Sequence, residues 1–101
     1  MASRLELQTE LEEILGSRNV YFQPPESVKM KYPAIRYSLS SIENRHADNR
    51  AYKQTKAYEL ILIDPDPDSE YADKLSQLPY CRFDRFYPAD NLNHYVFTIY
   101  Y

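Results

Sequence analysis

The sequence predicts a small α+β fold, with two helices and an antiparallel sheet of about four strands in the order α-(β)-β-β-α-β-β, where the bracketed strand is the weakest element. Three observations predict this class. Apolar residues recur at helical spacing near the N-terminus, apolar and polar residues alternate from Ala34 onward, and the final stretch is rich in aromatic and β-branched residues. A length of 101 residues is typical of one domain, here spanning positions 1–101.

The two predicted helices have recognisable ends. The first begins with a capping box formed by Ser3 and Glu6 and ends at Gly16, because glycine readily adopts the left-handed conformation that closes a helix. Its apolar residues are Leu7, Leu11, Ile14 and Leu15. The second helix, Glu70–Leu78, follows an Asp- and Pro-rich segment that offers two candidate N-caps, Asp68 and Ser69.

Period-two patterns and turn residues place the strands. The predicted strands are Asn19–Gln23, Ala34–Ser40, Thr55–Asp64, Cys81–Tyr87 and His94–Tyr101. We expect the second and third to form a long hairpin with a polar tip, Ser41–Gln54. The middle of the third is apolar on both faces, which favours a central place in the sheet. Pro88–Asn91 reads as a turn between the last two strands.

Composition argues against several classes of function. The net charge of -3 does not favour nucleic-acid binding, and the single glycine rules out a phosphate-binding loop. One cysteine, Cys81, cannot form an internal disulfide, which is typical of a reducing compartment. The longest apolar run is Leu60–Ile63, and the N-terminus lacks an apolar signal region. We therefore expect a soluble protein that is intracellular when made.

Few residues suggest catalysis or metal binding. Asp64, Asp66 and Asp68 alternate as at the start of a calcium loop, but the glycine and the closing glutamate of such a loop are missing. The other candidates are His46, His94 and Cys81, too few for a zinc site and without a local nucleophile motif. The prediction is a protein without an enzymatic activity, a cofactor or a metal.

Charge and tyrosine content point instead to protein contacts. The hairpin tip and the start of the following strand carry Arg45, Arg50, Lys53 and Lys56, and the second helix region carries Asp66, Asp68, Glu70 and Asp73. The basic residues form an electrostatic contact surface or, equally, a loop tip that is polar because it faces water. A head-to-tail contact between copies would bring these unlike patches together, and such contacts build rings. The last strand adds Tyr95, Tyr100 and Tyr101, a residue type that is enriched at protein interfaces.

Several stretches resemble the tail terminator or tail completion proteins of long-tailed, siphovirus-like bacteriophages and prophages. They are Tyr32-Pro33-Ala34-Ile35-Arg36-Tyr37, Tyr58-Glu59-Leu60-Ile61-Leu62-Ile63-Asp64, Phe83-Asp84-Arg85 and Asp90-Asn91-Leu92-Asn93-His94-Tyr95-Val96-Phe97. The resemblance covers roughly residues 32–101. It implies an α+β fold and a hexameric ring that ends the tail tube and joins it to the head connector.

The partners that the resemblance implies are further copies of the chain, the tail tube protein and the head connector or neck protein. The implied location is the virion, after synthesis in the bacterial cytoplasm. Three alternatives stay open: another head-tail joining component such as a head-closure protein, a small RNA-binding ferredoxin-like module, and a small hydrolase or nuclease that uses His46 or His94. Aromatic strands can stack bases, but the acidic balance opposes the RNA-binding alternative.

Overall fold

The computed structural model describes residues 4–25, 27–47 and 50–101, with side chains described outside 43–54. In chain order, the elements are α1 (Arg4–Leu15), β1 (Val20–Phe22), β2 (Ala34–Ala47), β3 (Arg50–Asp64), α2 (Glu70–Ser76), β4 (Cys81–Ala89) and β5 (Leu92–Tyr100). The protein is thus a small α+β domain with two helices and a five-stranded sheet, and no described helix is long and apolar enough to cross a membrane.

The sheet has the strand order β1-β2-β3-β5-β4. Strand β1 pairs parallel to β2, whereas the other three pairings are antiparallel. The prediction of about four antiparallel strands was therefore wrong in number and in direction at one edge. The weakest predicted strand, Asn19–Gln23, is present as the three-residue β1, but its parallel pairing with β2 was not predicted, because a short apolar pattern does not report strand direction.

Helix α1 supplies one side of the core. Leu7, Leu11 and Leu15 are buried at intervals of four residues, as one face of a helix requires. Gly16 follows with φ 72°, and its N–H bonds the Glu12 carbonyl at 2.9 Å, so the predicted helix end is confirmed. The predicted capping residue Ser3 lies outside the described residues.

The helices cover one face of the sheet. Register aligns Ile35, Leu62 and Tyr95 in one row across β2, β3 and β5, and all three belong to the buried core with Leu75 of α2. The predicted central place of the third strand is confirmed, since β3 lies between β2 and β5. The opposite face carries no helix in the described part of the chain.

Strands β2 and β3 are much longer than the sequence predicts. The stretch Ser41–Gln54, expected to be a hairpin tip, continues the two strands up to the pair Ala47 and Arg50. The sequence did not predict this continuation of the strands, because alternation of polarity reports burial of one face and does not report backbone pairing. A bulge between Leu39 and Ser41 marks the point where the extension begins.

The turn of the last hairpin consists of Asp90 and Asn91, the second half of the predicted turn Pro88–Asn91. Asp90 and Asn91 have φ values of 53° and 62°, as a two-residue turn with two left-handed residues requires. Strand β4 accordingly runs through Pro88 to Ala89, and β5 begins at Leu92. Helix α2 also ends earlier than predicted, at Ser76.

Ser69 occupies the N-cap position of α2, but its side chain makes no capping hydrogen bond. The Ser69 hydroxyl instead donates to Asp64 Oδ2 at 2.7 Å, and Asp64 Oδ1 accepts the Asp66 N–H at 2.9 Å. The buried Asp64 carboxylate therefore fastens the start of α2 to the end of β3.

The helix α1 allows a matched test of the core. We expect Leu11→Ala to lower the free energy of unfolding by about 2–5 kcal/mol, because Leu11 is fully buried. Leu5→Ala on the same helix should change it by less than about 0.5 kcal/mol, because Leu5 is 66% exposed. Urea unfolding followed by circular dichroism measures both, and equal losses would contradict the assigned face of α1.

Candidate protein-interaction surfaces

The outer parts of β2 and β3 form a two-stranded arm, residues 42–47 and 50–56. Pairing of β3 with β5 ends at Ala57 and Tyr100, and pairing of β1 with β2 ends at Tyr37. Beyond Tyr101, whose N–H bonds the Lys56 carbonyl at 2.9 Å, the described strands of the arm pair only with each other. Six residues of β2 at about 3.4 Å each give an extension of about 20 Å.

The arm carries apolar groups near its base. Leu39 pairs with Tyr58, and Ile42 pairs with Lys56 two residues earlier on β3, so both side chains lie on the helix-covered side. Leu39 and Ile42 remain exposed, Ile42 by 47%. A two-stranded ribbon is marginally stable alone in water. The arm is therefore a segment that gains stability when another surface packs against it.

The predicted basic residues lie on this arm. Lys56 is half-buried at its base. Backbone pairing sets Arg45 opposite Lys53 and places Arg50 at the outer end, while these three side chains lie outside the described residues. The pairing thus brings the four predicted positions onto one ribbon.

The predicted acidic residues Asp66, Asp68, Glu70 and Asp73 are all exposed. Asp66 Oδ1 accepts the Asp68 N–H at 2.9 Å, so the loop is ordered by its own carboxylates. A cavity of about 350 Å³ beside them is lined by Pro33, Asp64, Asp66, Asp68, Glu70 and Tyr71. Among the described residues, no three His, Cys, Asp or Glu side chains are placed to hold a metal ion.

The three predicted interface tyrosines differ in their exposure to solvent. Tyr95 is buried, and its hydroxyl donates to the Pro67 carbonyl at 2.6 Å; burial raises its pKa. Tyr100 is 37% exposed. Tyr101 is half-buried, where desolvation, followed by a hydrogen bond with Glu10, raises its pKa to about 12. Tyr100 is thus the most accessible of the three, and Tyr95 mainly serves the core.

Strand β4 carries a surface that sequence reasoning missed, the aromatic shelf formed by Phe83 and Phe86. Phe83 is 50% exposed and Phe86 44% exposed. Strict alternation would put residues three apart on opposite faces, but a bulge at Asp84 brings both onto the helix-covered side, opposite Phe97 and Tyr95. Nothing in the sequence marks that bulge.

The histidine and cysteine candidates do not converge. Cys81 pairs with Ile99 on the helix-covered side, whereas His94 pairs with Tyr87 near the other end of β4 and stacks on its ring at 4.6 Å. His94 Nδ1 is buried without a hydrogen-bond partner among the described residues. The side chain of His46 lies outside the described residues. Cys81 and His94 therefore cannot act as a nucleophile and base pair.

Comparison with known proteins adds no assignment: no protein-family model and no curated protein matches this sequence. The resemblance to tail terminator proteins accordingly depends on the motif residues alone.

Cys81 offers a pH-dependent readout of the packing at the start of β4. Burial, and then the Asp84 charge, raise the pKa of its thiol from 9.0 to about 11. At pH 8.5 we expect iodoacetamide to alkylate the folded chain on the order of tenfold or more slowly than the urea-unfolded chain, because the thiolate is the nucleophile.

The raised pKa favours the folded state fully below pH 9, and that contribution is lost as the pH rises toward 11. Asp84→Asn removes the smaller cause and should accelerate alkylation modestly. Equal rates for the folded and unfolded chains would contradict the packing of Cys81 described above.

Proposed function

We propose that this chain is the repeating subunit of a ring that ends the tail tube of a long-tailed bacteriophage and joins the tube to the head connector. The arm is the observation that carries the proposal. It extends about 20 Å beyond the strands that would support it, and the molecule measures 52 × 28 × 23 Å. An unsupported ribbon of this kind is suited to packing on a neighbouring subunit.

A ring needs two different complementary surfaces on each subunit. The arm sequence carries four basic side chains, Arg45, Arg50, Lys53 and Lys56, against two acidic ones, Glu43 and Asp48. The loop and helix at 64–74 carry five acidic side chains against Lys74 alone. Unlike charges on separate surfaces favour head-to-tail association and oppose pairing of like surfaces.

The resemblance to tail terminator proteins supplies the biological setting, with a hexamer as the expected ring. Another head-tail joining component would use the same subunit architecture at a different position in the neck. The two are separated by which neighbour the ring binds, the tail tube protein or the head connector.

The RNA-binding alternative has weaker support. The uncovered face of the sheet does carry exposed Arg36, Arg82 and Arg85. On that face, however, the central strands β3 and β5 carry the aliphatic Ile61 and Val96, which pair with each other; Ile61 is half-buried and Val96 is fully buried. Sheet-based RNA recognition depends on aromatic side chains that stack on bases. The aromatic residues of β3 and β5 in the core cluster lie on the covered face, whereas the exposed Tyr100 of β5 lies on the uncovered face.

The ring proposal predicts one discrete oligomer. Native mass spectrometry of the purified chain should give a closed species, six subunits being expected. Replacing residues 44–54 by Asn-Gly joins the paired residues Glu43 and Thr55 through a two-residue turn and removes most of the arm. This variant should be a folded monomer, with an unchanged circular dichroism spectrum for the body.

A second variant keeps the full length of the arm and tests only the contribution of its charge to assembly. Arg50→Glu with Lys53→Glu should weaken assembly at least tenfold, and more strongly at low salt. The matched control, Arg18→Glu with Lys29→Glu, makes the same change in net charge at exposed positions away from the arm. A wild-type chain that stays monomeric at all concentrations, alone and with its virion neighbours, overturns the proposal.

The tube assignment has its own measurement. The wild-type chain, added to polymerising tail tube protein from the same phage genome, should shorten the tubes and appear as a ring at one end by electron microscopy. The arm-shortened variant is the control. Binding of the ring to the connector with unchanged tube length would instead favour the head-closure alternative.

A further inference from the structure

The start of α2 and the strand β5 border an open cavity next to the aromatic shelf. The cavity measures about 230 Å³ and is lined by Pro67, Asp68, Ser69, Ala72, Asp73 and Tyr95. The ring of Phe86 packs on the ring of Tyr95 with centroids 5.1 Å apart. An acidic rim, a cavity and an exposed aromatic surface are therefore contiguous on the helix-covered side.

The shelf lies beyond the cover that α2 gives to the sheet. Phe83 packs edge-on against Phe97 at 5.5 Å, and Phe97 is fully buried while Phe83 is half exposed. Two neighbouring half-exposed phenylalanines bordered by carboxylates match the composition of protein interfaces, with an apolar centre and a polar rim.

Strand β4 is built to receive side chains and not another strand. It is one of the two outer strands of the sheet, and it carries the bulge at Asp84, Pro88 near its end, and the charged residues Arg82 and Arg85. Bulges, prolines and charges on an edge strand oppose edge-to-edge pairing. A partner on this side therefore contacts the faces of Phe83 and Phe86.

We propose that the aromatic shelf and the adjoining acidic cavity are the docking site for the arm of a second copy of this chain. Leu39 and Ile42 at the arm base supply apolar groups for Phe83 and Phe86. The basic side chains of the arm supply the positive charge that pairs with the carboxylates of Asp68 and Asp73. This inference rests on the ring proposed above and specifies the two surfaces that meet.

The arm of the same chain cannot fill this site. It leaves the sheet where Ala57 pairs with Tyr100, at one end of β5. The cavity borders Tyr95, five residues back along that strand, and the arm extends in the opposite direction from it. Docking therefore links different copies, and a head-to-tail contact of this kind forms a ring where the rotation between neighbours closes.

Directed cross-linking tests this contact. In a Cys81→Ser background, Ile42→Cys is placed on a tagged chain and Phe86→Cys on an untagged chain, and a short bismaleimide is added to the mixture. We expect a tagged–untagged dimer at least tenfold above the control mixture, in which Arg18→Cys replaces Phe86→Cys. Both chains are checked for assembly by native mass spectrometry.

A second pair of variants reads the site without cross-linker. Phe83→Ser with Phe86→Ser should give folded monomers, whereas Leu5→Ser, which changes an even more exposed apolar side chain elsewhere, should still assemble. A ring that forms without the arm–shelf cross-link, or that tolerates loss of both phenylalanines, overturns this inference and leaves the ring itself standing. A chain that neither assembles nor cross-links overturns both. A ring that persists without the phenylalanines and loses only tube binding assigns the shelf to the tube protein.

Discussion

Unequal strand length is the constraint on which the rest of this structure depends. Strand β3 has fifteen residues and forms thirteen register pairs with β2, but only eight with β5. The inner half of β3 is enclosed by neighbours and carries Leu60 and Leu62 into the core. The outer half has one neighbouring strand, β2, and becomes the arm. A single strand thus joins the most buried and the least supported parts of the molecule.

A small polar network orders the end of β3 that lies away from the arm. The Asp64 carboxylate accepts a hydrogen bond from the Ser69 hydroxyl, and the Asp64 carbonyl accepts one from Asn93 Nδ2 at 3.0 Å. The Tyr95 hydroxyl donates a hydrogen bond to the Pro67 carbonyl. Buried polar groups of this kind cost free energy when they are left unpaired, which explains why the loop is tied on both sides. The result is an acidic loop whose exposed carboxylates are held in place relative to β5.

Sequence reasoning recovered the parts of this fold that are governed by burial. The four-residue spacing of Leu7 and Leu11 predicted α1, and the apolar centre of β3 predicted its central position, because both patterns arise from a covered face. The outer strands of the arm and the bulge at Asp84 are governed by backbone pairing, which polarity does not encode. Composition alone could select the charged residues of the arm and of the acidic loop, whose part in an interaction stays a prediction, while the aromatic shelf, which needs Phe83 and Phe86 on one face, was missed.

The polarity of the arm bears on when association takes place. Between Glu43 and Gln54 the chain contains charged and amide residues in place of the valines and isoleucines common in strands. A strongly apolar ribbon of the same length would be prone to stack into fibrils as soon as the chain is synthesised. The polar composition of the arm disfavours such nonspecific stacking, so the contact proposed above would depend on charge complementarity.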